Sequence, residues 1–354
     1  MPQPSDTRPV SFELPRLHEL TPHAFGTITE PYCRALHVHC YRMLGSLQDA
    51  EDLVQETLLR AWQRRATYAG RAPLRAWLYK IATNLCLDTL AQRKRRTLPI
   101  ARQPAASLAD PIPGDVNEPI WLEPFPDALL ASQALTDALT PEGRFMRRER
   151  IDLAFLVVLQ QLPARQRAVL LLRDVLEWQA SEVAELLELT VPTVKSLLFR
   201  ARRTLAEQTQ DEFVDSSNAT PPDATTQALL QRYITAWETA DIAELVALLK
   251  ADATFSMPPI PAWYQGRETI GGLVAKTIFR GDAQGRWRLQ STRANGQFAF
   301  GLYRVAENPK ATERLYQAYG IQVIKFAGGR IADITTFRVP ALFAKFSLPM
   351  QLSG

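Results

Sequence analysis

The chain has 354 residues, with 41 Lys and Arg against 37 Asp and Glu, so its formal net charge is only +4. The length predicts two or three domains that each bury a core, and the mild charge means that any contact with nucleic acid depends on local clusters. Three cysteines argue against a disulfide scaffold and favour a reducing compartment. The opening residues lack the pattern of a signal peptide, and no apolar run approaches the roughly 20 residues of a membrane span, which excludes secreted and membrane classes and predicts a cytoplasmic protein.

The first predicted piece, residues 21–96, is helical, and its stretch DAEDLVQETLLRAWQR (49–64) has an acidic first half and a basic second half. Apolar residues recur there at helical spacing. Asp49 is expected to cap this helix, and Glu51 and Asp52 to lie in its first turn, where the helix dipole favours carboxylates. The opposite face carries side chains spaced i, i+3, i+4 and i+7: Asp52, Gln55, Glu56 and Leu59. Capping alone explains the charge, and a partner-binding face is the alternative.

The second half of this piece is strongly basic. From Arg60 to Arg96 there are ten basic residues and a single acidic residue, Asp88. A second helix is expected to open at Pro73. The sequence RKRR at its end (93–96) either contacts phosphates or forms a solvated helix terminus.

Aromatic and amide side chains accompany this basic stretch. Tyr68, Tyr79 and Asn84 offer stacking and hydrogen bonding to an unpaired nucleic-acid strand. Trp62 and Trp77 are expected to pack in the core instead.

Residues 97–146 change in character. Seven prolines fall between Pro99 and Pro126, and acidic residues outnumber basic ones. This composition predicts an extended acidic linker rather than a packed domain.

Residues 147–208 return to helical periodicity. The stretch QASEVAELLELTVPTVKSLLFRARRTL (179–205) predicts a helix-turn-helix, and two preceding helices complete a four-helix module. The second helix should present polar, aromatic and basic side chains to base edges and phosphates: Thr193, Lys195, Ser196, Phe199, Arg200 and Arg203. This motif indicates DNA binding without indicating which machinery uses it.

A polar stretch at 215–226 marks a boundary, and residues 225–347 then show a helix followed by strands, an α+β pattern. Candidate acid–base groups there are selected only by residue type: Asp252, Asp333, Tyr264 and Tyr303. A non-catalytic regulatory domain is the favoured interpretation, and no cofactor is expected.

One cluster suggests a metal site. Cys33, His37 and Cys40 share a helical face and are zinc-ligand types, but a structural zinc site takes four ligands and nothing fixes His23 as the fourth. Packing is the favoured interpretation of this cluster.

The two helical modules, in this order and separated by a linker, resemble the sigma-70 family of RNA polymerase sigma factors, in particular its extracytoplasmic-function group. The resemblance covers residues 21–96 and 147–206 through DAEDLVQETLLRAW, LRAWLYKIATNLCLDTLAQRKRR, LPARQRAVLLLRDV and SEVAELLELTVPTVKSLLFRAR. It implies two all-α sigma modules, region 2 (21–96) and region 4 (147–208), joined by the Pro-rich acidic linker (97–146).

The resemblance also implies roles for the matching residues. Core RNA polymerase, through the coiled coil of its largest subunit, would be bound by Asp49, Glu51, Asp52, Gln55 and Glu56. The −10 promoter element would be held by Tyr68, Arg71, Arg75, Lys80, Asn84, Arg93, Lys94 and Arg95. The −35 element would be contacted by the six residues of the helix-turn-helix named above, with the polymerase flap as a second protein contact. The linker would run toward the RNA path of the polymerase.

The sequence departs from the family pattern at two positions. Leu197 stands where the family often has Arg, and Glu188 replaces a frequent turn glycine.

Residues 225–347 resemble a SnoaL-like domain of the NTF2-like superfamily, a cone of curved sheet and helices. A subgroup of these sigma factors carries such a domain, a linker motif like WLEPFP (121–126) and a motif like GGR (328–330). The residues expected to serve interdomain regulation are Trp121, Leu122, Glu123, Pro124, Gly328, Gly329 and Arg330. The cone is expected to dock on the linker and region 2 through WYQGR (263–267) and FAGGR (326–330) and to tune promoter opening.

Two other functions stay open at this stage. One is a stand-alone helix-turn-helix regulator, and the other is a SnoaL-like enzyme fused to a DNA-binding half. Whether an anti-sigma protein or a small ligand of the cone exists is left open as well.

Overall fold

The computed structural model describes residues 17–70, 72–92, 96–116, 121–131, 152–208, 223–306 and 314–354. They form two helical modules, an extended segment between them, and a domain built from a curved sheet and helices. Within these residues, no helix combines the length and the apolar character that a membrane crossing requires.

The first helical module consists of α1 (Pro22–Leu44), α2 (Leu47–Gln63) and α3 (Leu74–Gln92). Thr21 caps α1, and Gly45 ends it in the left-handed conformation (φ 71°) that glycine adopts without steric cost. The expectation that Asp49 caps α2 is wrong. Ser46 is the cap, and its side chain accepts the amide hydrogen of Asp49 over 3.1 Å, because the apolar run already begins at Leu47.

The second helical module begins after the short α4 (Ala128–Ala131) of the linker. Its helices are α5 (Leu153–Gln161), α6 (Ala164–Leu170), which continues into a π-helical turn (Leu171–Val175), α7 (Ala180–Leu187) and α8 (Val191–Gln208). Glu188 joins α7 to α8 with φ 55°, a left-handed conformation. The geometry explains why glycine suits this position: a non-glycine side chain is strained there.

The cone contains helices α9 (Ala224–Glu238), α10 (Ile242–Leu248) and α11 (Arg267–Thr277) and a seven-stranded sheet, followed by the short α12 (Leu342–Lys345). Its strands are β1 (Leu249–Ser256), β2 (Trp263–Gln265), β3 (Trp287–Ala294), β4 (Gln297–Val305), β5 (Leu315–Ala327), β6 (Arg330–Phe337) and β7 (Gln351–Ser353). The order is β2-β1-β6-β5-β4-β3, with β7 paired to β5, and among the described strands only β1 and β6 run parallel.

Two apolar cores hold these parts together. The first lies inside the cone, where Trp237 of α9 packs with sheet residues such as Phe300 and Ile334. The second begins in α1–α3, runs through the second module and includes Tyr303 and Val323 from the other face of the sheet. Because one continuous core includes the helical modules and this sheet face, the cone is packed against them.

Most of the described linker lacks regular secondary structure, as its proline content predicts, but several of its residues are packed against the neighbouring parts of the chain. Leu122 and Phe125 are 1% exposed. The amide of Ala106 donates to the carbonyl of Trp263 on β2 over 2.8 Å, and Trp263 Nε1 donates to the carbonyl of Gln103 over 2.7 Å. The stretch WYQGR therefore contacts the linker.

Candidate functional site

The residues of α2 that are expected to bind polymerase differ in exposure and in their partners. Asp52 and Gln55 are exposed, and beside them the apolar Leu59 is 50% exposed. Glu56 is half-buried and pairs with Arg60 one turn later, with Nε and Oε1 2.6 Å apart. The outer face of α2 thus presents carboxylates around an exposed leucine, a combination that capping does not require.

The other two acidic residues of α2 are held by distant parts of the chain. Asp49 pairs with Arg96 over 2.9 Å, and both side chains are at most 16% exposed. Glu51 pairs with Lys345 of α12, in the cone. The five residues expected to bind polymerase therefore share one helix. Asp49 and Glu51 are held by distant parts of the chain, whereas Asp52 and Glu56 have partners within α2 itself.

Two of the described residues expected at the −10 element, Lys80 and Asn84, lie beside the second helical module. Tyr68 is half-buried against Trp77, with ring centroids 5.2 Å apart, and its hydroxyl donates to the carbonyl of Ala72. Lys80 of α3 pairs with Glu188 over 3.2 Å. Asn84 is exposed and lines a groove that Glu188 also lines.

The remaining residues of this region that were expected to contact DNA are either buried, close to a buried ring, or outside the described residues. Arg75 lies 5.5 Å from the ring of Tyr79. Tyr79 itself is fully buried between His39 and Trp178, so its ring is not available for stacking on a base. Arg71, Arg93, Lys94 and Arg95 lie outside the described residues.

The second helix of the helix-turn-helix, α8, has a buried and an exposed side. Val194 and Ala201 are fully buried and Leu198 nearly so. All six residues expected at the −35 element are exposed: Thr193, Lys195, Ser196, Phe199, Arg200 and Arg203. Phe199 is 67% exposed, so its ring is accessible to a partner.

The motif WLEPFP lies where the linker meets α1, α2 and the cone. Both oxygens of the Glu123 carboxylate are used. Oε2 accepts from the amide of Leu47 (2.8 Å) and the hydroxyl of Ser46 (3.1 Å), and Oε1 accepts from Arg96 (3.2 Å). Glu123 is therefore a cap supplied to the start of α2 from a distance in sequence, where the helix dipole favours a negative charge.

The neighbours of Glu123 in the motif are also engaged. Phe125 packs against His37 and Tyr41 of α1, with ring centroids 5.4 and 4.8 Å apart. Leu122 lies so close to Gly45 that an added Cβ there would be 2.7 Å from it. Trp121 donates from Nε1 to the carbonyl of Val116, and Pro124 is buried.

The cone reaches this junction through the turn between β3 and β4. The amide of Phe125 donates to Asn295 Oδ1, and the amide of Asn295 donates back to the carbonyl of Phe125, both over 2.8 Å. Asn295 Nδ2 also donates to the hydroxyl of Tyr41 over 3.1 Å. The adjacent Gly296 amide donates to Asp127 over 2.8 Å. One hairpin tip therefore holds both the linker and α1.

Sequence reasoning missed this turn, although Asn-Gly between two strand-like runs is a strong hairpin signal. The signal predicts the turn but not its partners. It also missed Arg167 of α6, which is 1% exposed and donates to the carbonyl of Met43 at the end of α1 and to Gln160. Gln160 donates in turn to the carbonyl of Arg42. The second module is thereby fastened to the C-terminal end of α1.

The motif GGR is not at this junction. Gly328 and Gly329 form the turn between β5 and β6, with φ of 59° and 71° and no atom near enough to contact an added Cβ. Arg330 donates to the carbonyl of Ala247 within the cone. These glycines are explained by the hairpin turn, which requires left-handed residues.

The candidate acid–base residues do not come together. Asp252 is exposed and pairs with Lys250, and Asp333 accepts hydrogen bonds from Thr254 and Thr335. Burial raises the pKa of Tyr303 to about 12, and its hydroxyl donates to the carbonyl of Pro349. Burial likewise raises the pKa of Tyr264. Neither phenol is tuned toward the neutral pKa that a general base needs.

The three candidate zinc ligands on α1 each contact a different part of the chain. Cys33 donates to the carbonyl of Thr29, His37 contacts the carbonyl of Leu47, and Cys40 is buried beside Cys86. Within the described part of the chain, no group of three or more His, Cys, Asp or Glu side chains is arranged to hold a metal ion.

Three family descriptions match the chain. Residues 28–96 match Sigma-70 region 2, residues 152–205 match Sigma-70, region 4, and residues 230–334 match the SnoaL-like domain.

Individual proteins match over longer stretches. The ECF RNA polymerase sigma factor SigG of Mycobacterium tuberculosis (strain H37Rv) is 42% identical over 329 residues, which cover 93% of this chain and 85% of that protein. SigW of Bacillus subtilis, also an ECF RNA polymerase sigma factor, is 29% identical over 53% of this chain and 90% of its own length. The crystal structure of the M. tuberculosis extracytoplasmic function sigma factor SigJ covers 92% of this chain and 99% of its own, with 21% identity and a TM-score of 0.57, a likeness of fold.

Proposed function

The chain belongs to the ECF family of RNA polymerase sigma factors, and we propose that it acts through three surfaces, one for core polymerase and two for promoter DNA. As a sigma factor it works by binding rather than by catalysis. We assign region 2 to residues 21–96, the linker to 97–146, region 4 to 147–208 and the SnoaL-like cone to 225–347.

The polymerase surface is the outer face of α2. Asp52, Gln55 and Glu56 offer hydrogen-bond acceptors to a basic partner, and the exposed Leu59 supplies an apolar centre. The partner is the coiled coil of the polymerase largest subunit. Glu51 joins this surface once it is released from Lys345, and Asp49 joins it once it is released from Arg96.

The promoter surfaces are the α3 face for the −10 element and α8 for the −35 element. On α8 the exposed Lys195, Arg200 and Phe199 combine phosphate contacts with an apolar contact to a base. On α3 the Lys80–Glu188 pair supports a closed arrangement in which region 4 covers part of the −10 face. Promoter binding then requires the two modules to separate.

The cone tunes this opening through the linker. The linker is held to region 2 by Glu123 and to the cone by the Asn295 turn, so the position of the cone and that of the linker are linked. Through α12 the cone also engages Glu51 on the polymerase surface. Region 4 also contacts the polymerase flap, and the linker runs toward the RNA path of the polymerase.

This function is supported mainly by the presence in one chain of two helices. One is α2, which has an acidic exposed face, and the other is α8, an exposed basic recognition helix. A stand-alone regulator needs the second and not the first. The test is a gel shift and run-off transcription on promoter DNA, with and without core polymerase. We expect promoter binding and transcripts only when core polymerase is present. Tight, sequence-specific binding by the chain alone would favour the stand-alone regulator.

A second comparison tests the role of the cone. Run-off transcription with core polymerase is measured for the full chain and for a variant that lacks residues 210–354. Since the cone holds the linker, we expect its removal to change transcript yield. Unchanged output would contradict a regulatory cone while leaving the sigma-factor function intact.

A further inference from the structure

The cone has a cavity of about 860 Å³ at the edge of the sheet where β3 begins and β4 ends. Its lining includes Trp287 and Tyr319, whose ring centroids lie 5.0 Å apart in an edge-to-face arrangement. Met257 and Ile260 add aliphatic surface, and Ile112 of the linker forms part of one wall. The cavity is large enough for a small organic molecule and has an apolar surface to contact it.

The cavity is also strongly basic. Five arginines line it: Arg280, Arg286, Arg304, Arg314 and Arg338. Among the described lining residues, only Asp282 carries a carboxylate. An excess of four guanidinium groups around one cavity attracts anions, and their planar forks match carboxylate and phosphate groups.

Within the described part of the chain, most of these arginines form no ion pair. Arg286 donates to the backbone carbonyls of Arg280 and Asp282, and Arg314 to that of Gly285, so both use neutral acceptors. Arg304 lies 5.6 Å from the ring centroid of Tyr319.

Arg338 is the exception, because it forms an ion pair with Asp115 of the linker over 2.8 Å. Its Nε is buried and has no hydrogen-bond partner within the described part of the chain. Its guanidinium carbon lies 5.5 Å from the ring centroid of Tyr319. Arg338 and Arg304 therefore place two cations beside the same aromatic ring.

We propose that this cavity binds a small organic anion with an aromatic body, and that this anion competes with Asp115 for Arg338. The aromatic body packs against Trp287 and Tyr319, and its carboxylate or phosphate accepts from Arg304 and Arg338. A bare inorganic anion lacks the apolar contact, and a neutral aromatic molecule lacks the charge, so each alone binds weakly.

The site is coupled to the linker by geometry. Next to Asp115, the amide of Val116 donates to the carbonyl of Pro259, and the amide of Arg338 donates to the carbonyl of Pro258. The carboxylate of Asp115 accepts a hydrogen bond from the guanidinium of Arg338, the group that would bind the ligand. Ligand binding and this linker contact therefore oppose each other, which would make the cone responsive to a metabolite of this chemical class. This property goes beyond sigma-factor function and does not depend on it.

Calorimetric titration of the full chain, without polymerase, tests the site with three probes. They are 2-naphthoate, the neutral 2-naphthalenemethanol and inorganic phosphate. We expect 2-naphthoate to bind with a Kd below about 1 mM, and the alcohol and phosphate to bind at least about tenfold more weakly.

Four variants locate the site. Arg304→Gln and Arg338→Gln should each weaken naphthoate binding about tenfold, because each removes a charge-assisted hydrogen bond. Asp115→Asn should strengthen it several-fold, since it removes the competing carboxylate. Arg232→Gln is the matched control: this arginine lies on α9, pairs with Glu244 and does not line the cavity, so binding should not change.

Each contrary result overturns the proposal. Absence of naphthoate binding up to about 1 mM would exclude the ligand class. Equal affinities for naphthoate and the alcohol would show that the arginines are not used, and equal affinities for naphthoate and phosphate would show that the aromatic lining is not used. Unchanged binding by both Arg304→Gln and Arg338→Gln would place the anion elsewhere, and unchanged or weaker binding by Asp115→Asn would remove the competition with the linker.

Discussion

At the scale of single residues, Asn295 joins three parts of the chain. Its side chain accepts from the amide of Phe125 and donates to Tyr41, and its backbone has φ 56°. Asparagine is one of the few non-glycine residues that tolerate this left-handed conformation. One residue therefore supplies both the turn geometry and the contact between the cone, the linker and α1.

Replacing Asn295 by Gly or by Ala separates these two roles. Both variants lose the side-chain hydrogen bonds, so the Phe125 amide should exchange its hydrogen faster in both. Only alanine is strained at φ 56°, so Asn295→Ala should lose roughly 1 kcal/mol more unfolding free energy than Asn295→Gly. Hydrogen exchange and urea unfolding measure the two effects. Unchanged protection of the Phe125 amide would mean that this contact does not hold the linker.

His39 makes the stability of region 2 depend on pH. It is 2% exposed on α1, with Nε2 2.9 Å from Thr83 Oγ1 on α3. Burial, followed by the nearby charge of Arg42, lowers the pKa of His39 to about 3. The unfolded chain takes up a proton near pH 6.5 and the folded chain does not, so stability is lost as the pH falls below about 6.5.

We expect this group to remove about 2 kcal/mol of unfolding free energy between pH 7 and pH 5. Urea unfolding at the two pH values measures the loss, and His39→Gln should make it smaller by that amount. His23→Gln is the control, because His23 is exposed and its replacement should leave the loss unchanged. An equal loss in the wild-type chain and in His39→Gln would refute the assignment.

At the scale of elements, α2 has one face in the core and one face toward solvent. Val54, Thr57 and Ala61 are buried, whereas Asp52 and Gln55 are exposed. A change on the exposed face should therefore affect binding without affecting the fold.

Asp52→Lys combined with Glu56→Lys should abolish binding to core polymerase, because it replaces two carboxylates by two cations on a surface proposed to meet a basic partner. The cost in folding is the partly exposed Glu56–Arg60 pair, about 0.5 kcal/mol, and the exposed hydrogen bond from Gln48 to Asp52. Affinity for core polymerase and the melting temperature are the two measurements. Asp252→Lys with Glu268→Lys makes the same charge change on the exposed surface of the cone and should bind normally. Retained core binding by the α2 variant would show that Asp52 and Glu56 are not needed for binding core polymerase.

The element pattern was more predictable from sequence than the contacts between elements. Helical spacing predicted the buried side of α8 because each residue's exposure there follows from local periodicity. The cap of α2 was misplaced because Ser46 and Asp49 are both good capping residues. Glu123, which accepts from the first amide of α2, lies more than seventy positions away. The glycines of the GGR motif lie in the turn between β5 and β6, and the expected interdomain role of this motif stays a prediction.

The contacts that sequence reasoning missed are long-range and depend on packing. Asn295 and Arg167 have no local feature that reveals their partners on α1. The described part of the linker has little regular structure, as expected, but composition alone could not show that Leu122 and Phe125 would be buried. Pattern specifies which face of an element is apolar, and only the tertiary fold specifies what covers that face.

At the scale of the whole molecule, intramolecular contacts cover part of both proposed working surfaces of region 2. Lys80 on the −10 face pairs with Glu188 of region 4, and Glu51 on the polymerase face pairs with Lys345 of the cone. Both pairs are partly solvated, so each contributes modestly and can be exchanged for a partner's contacts. Under the proposed function, these two pairs cover part of region 2 in addition to the apolar core and the buried Arg167 hydrogen bonds that join the modules.

Lys345→Ala should therefore increase the affinity for core polymerase. In the wild-type chain, polymerase must break the Glu51–Lys345 pair before it can use Glu51, and removing a partly exposed pair saves about 1 kcal/mol, or about fivefold in Kd. Direct binding of the full chain to core polymerase measures the change. Lys250→Ala is the matched control, because Lys250 also belongs to the cone but pairs with Asp252, away from α2. If Lys345→Ala binds core polymerase no more tightly than Lys250→Ala, then Glu51 is not part of the polymerase surface and the cone does not compete for it.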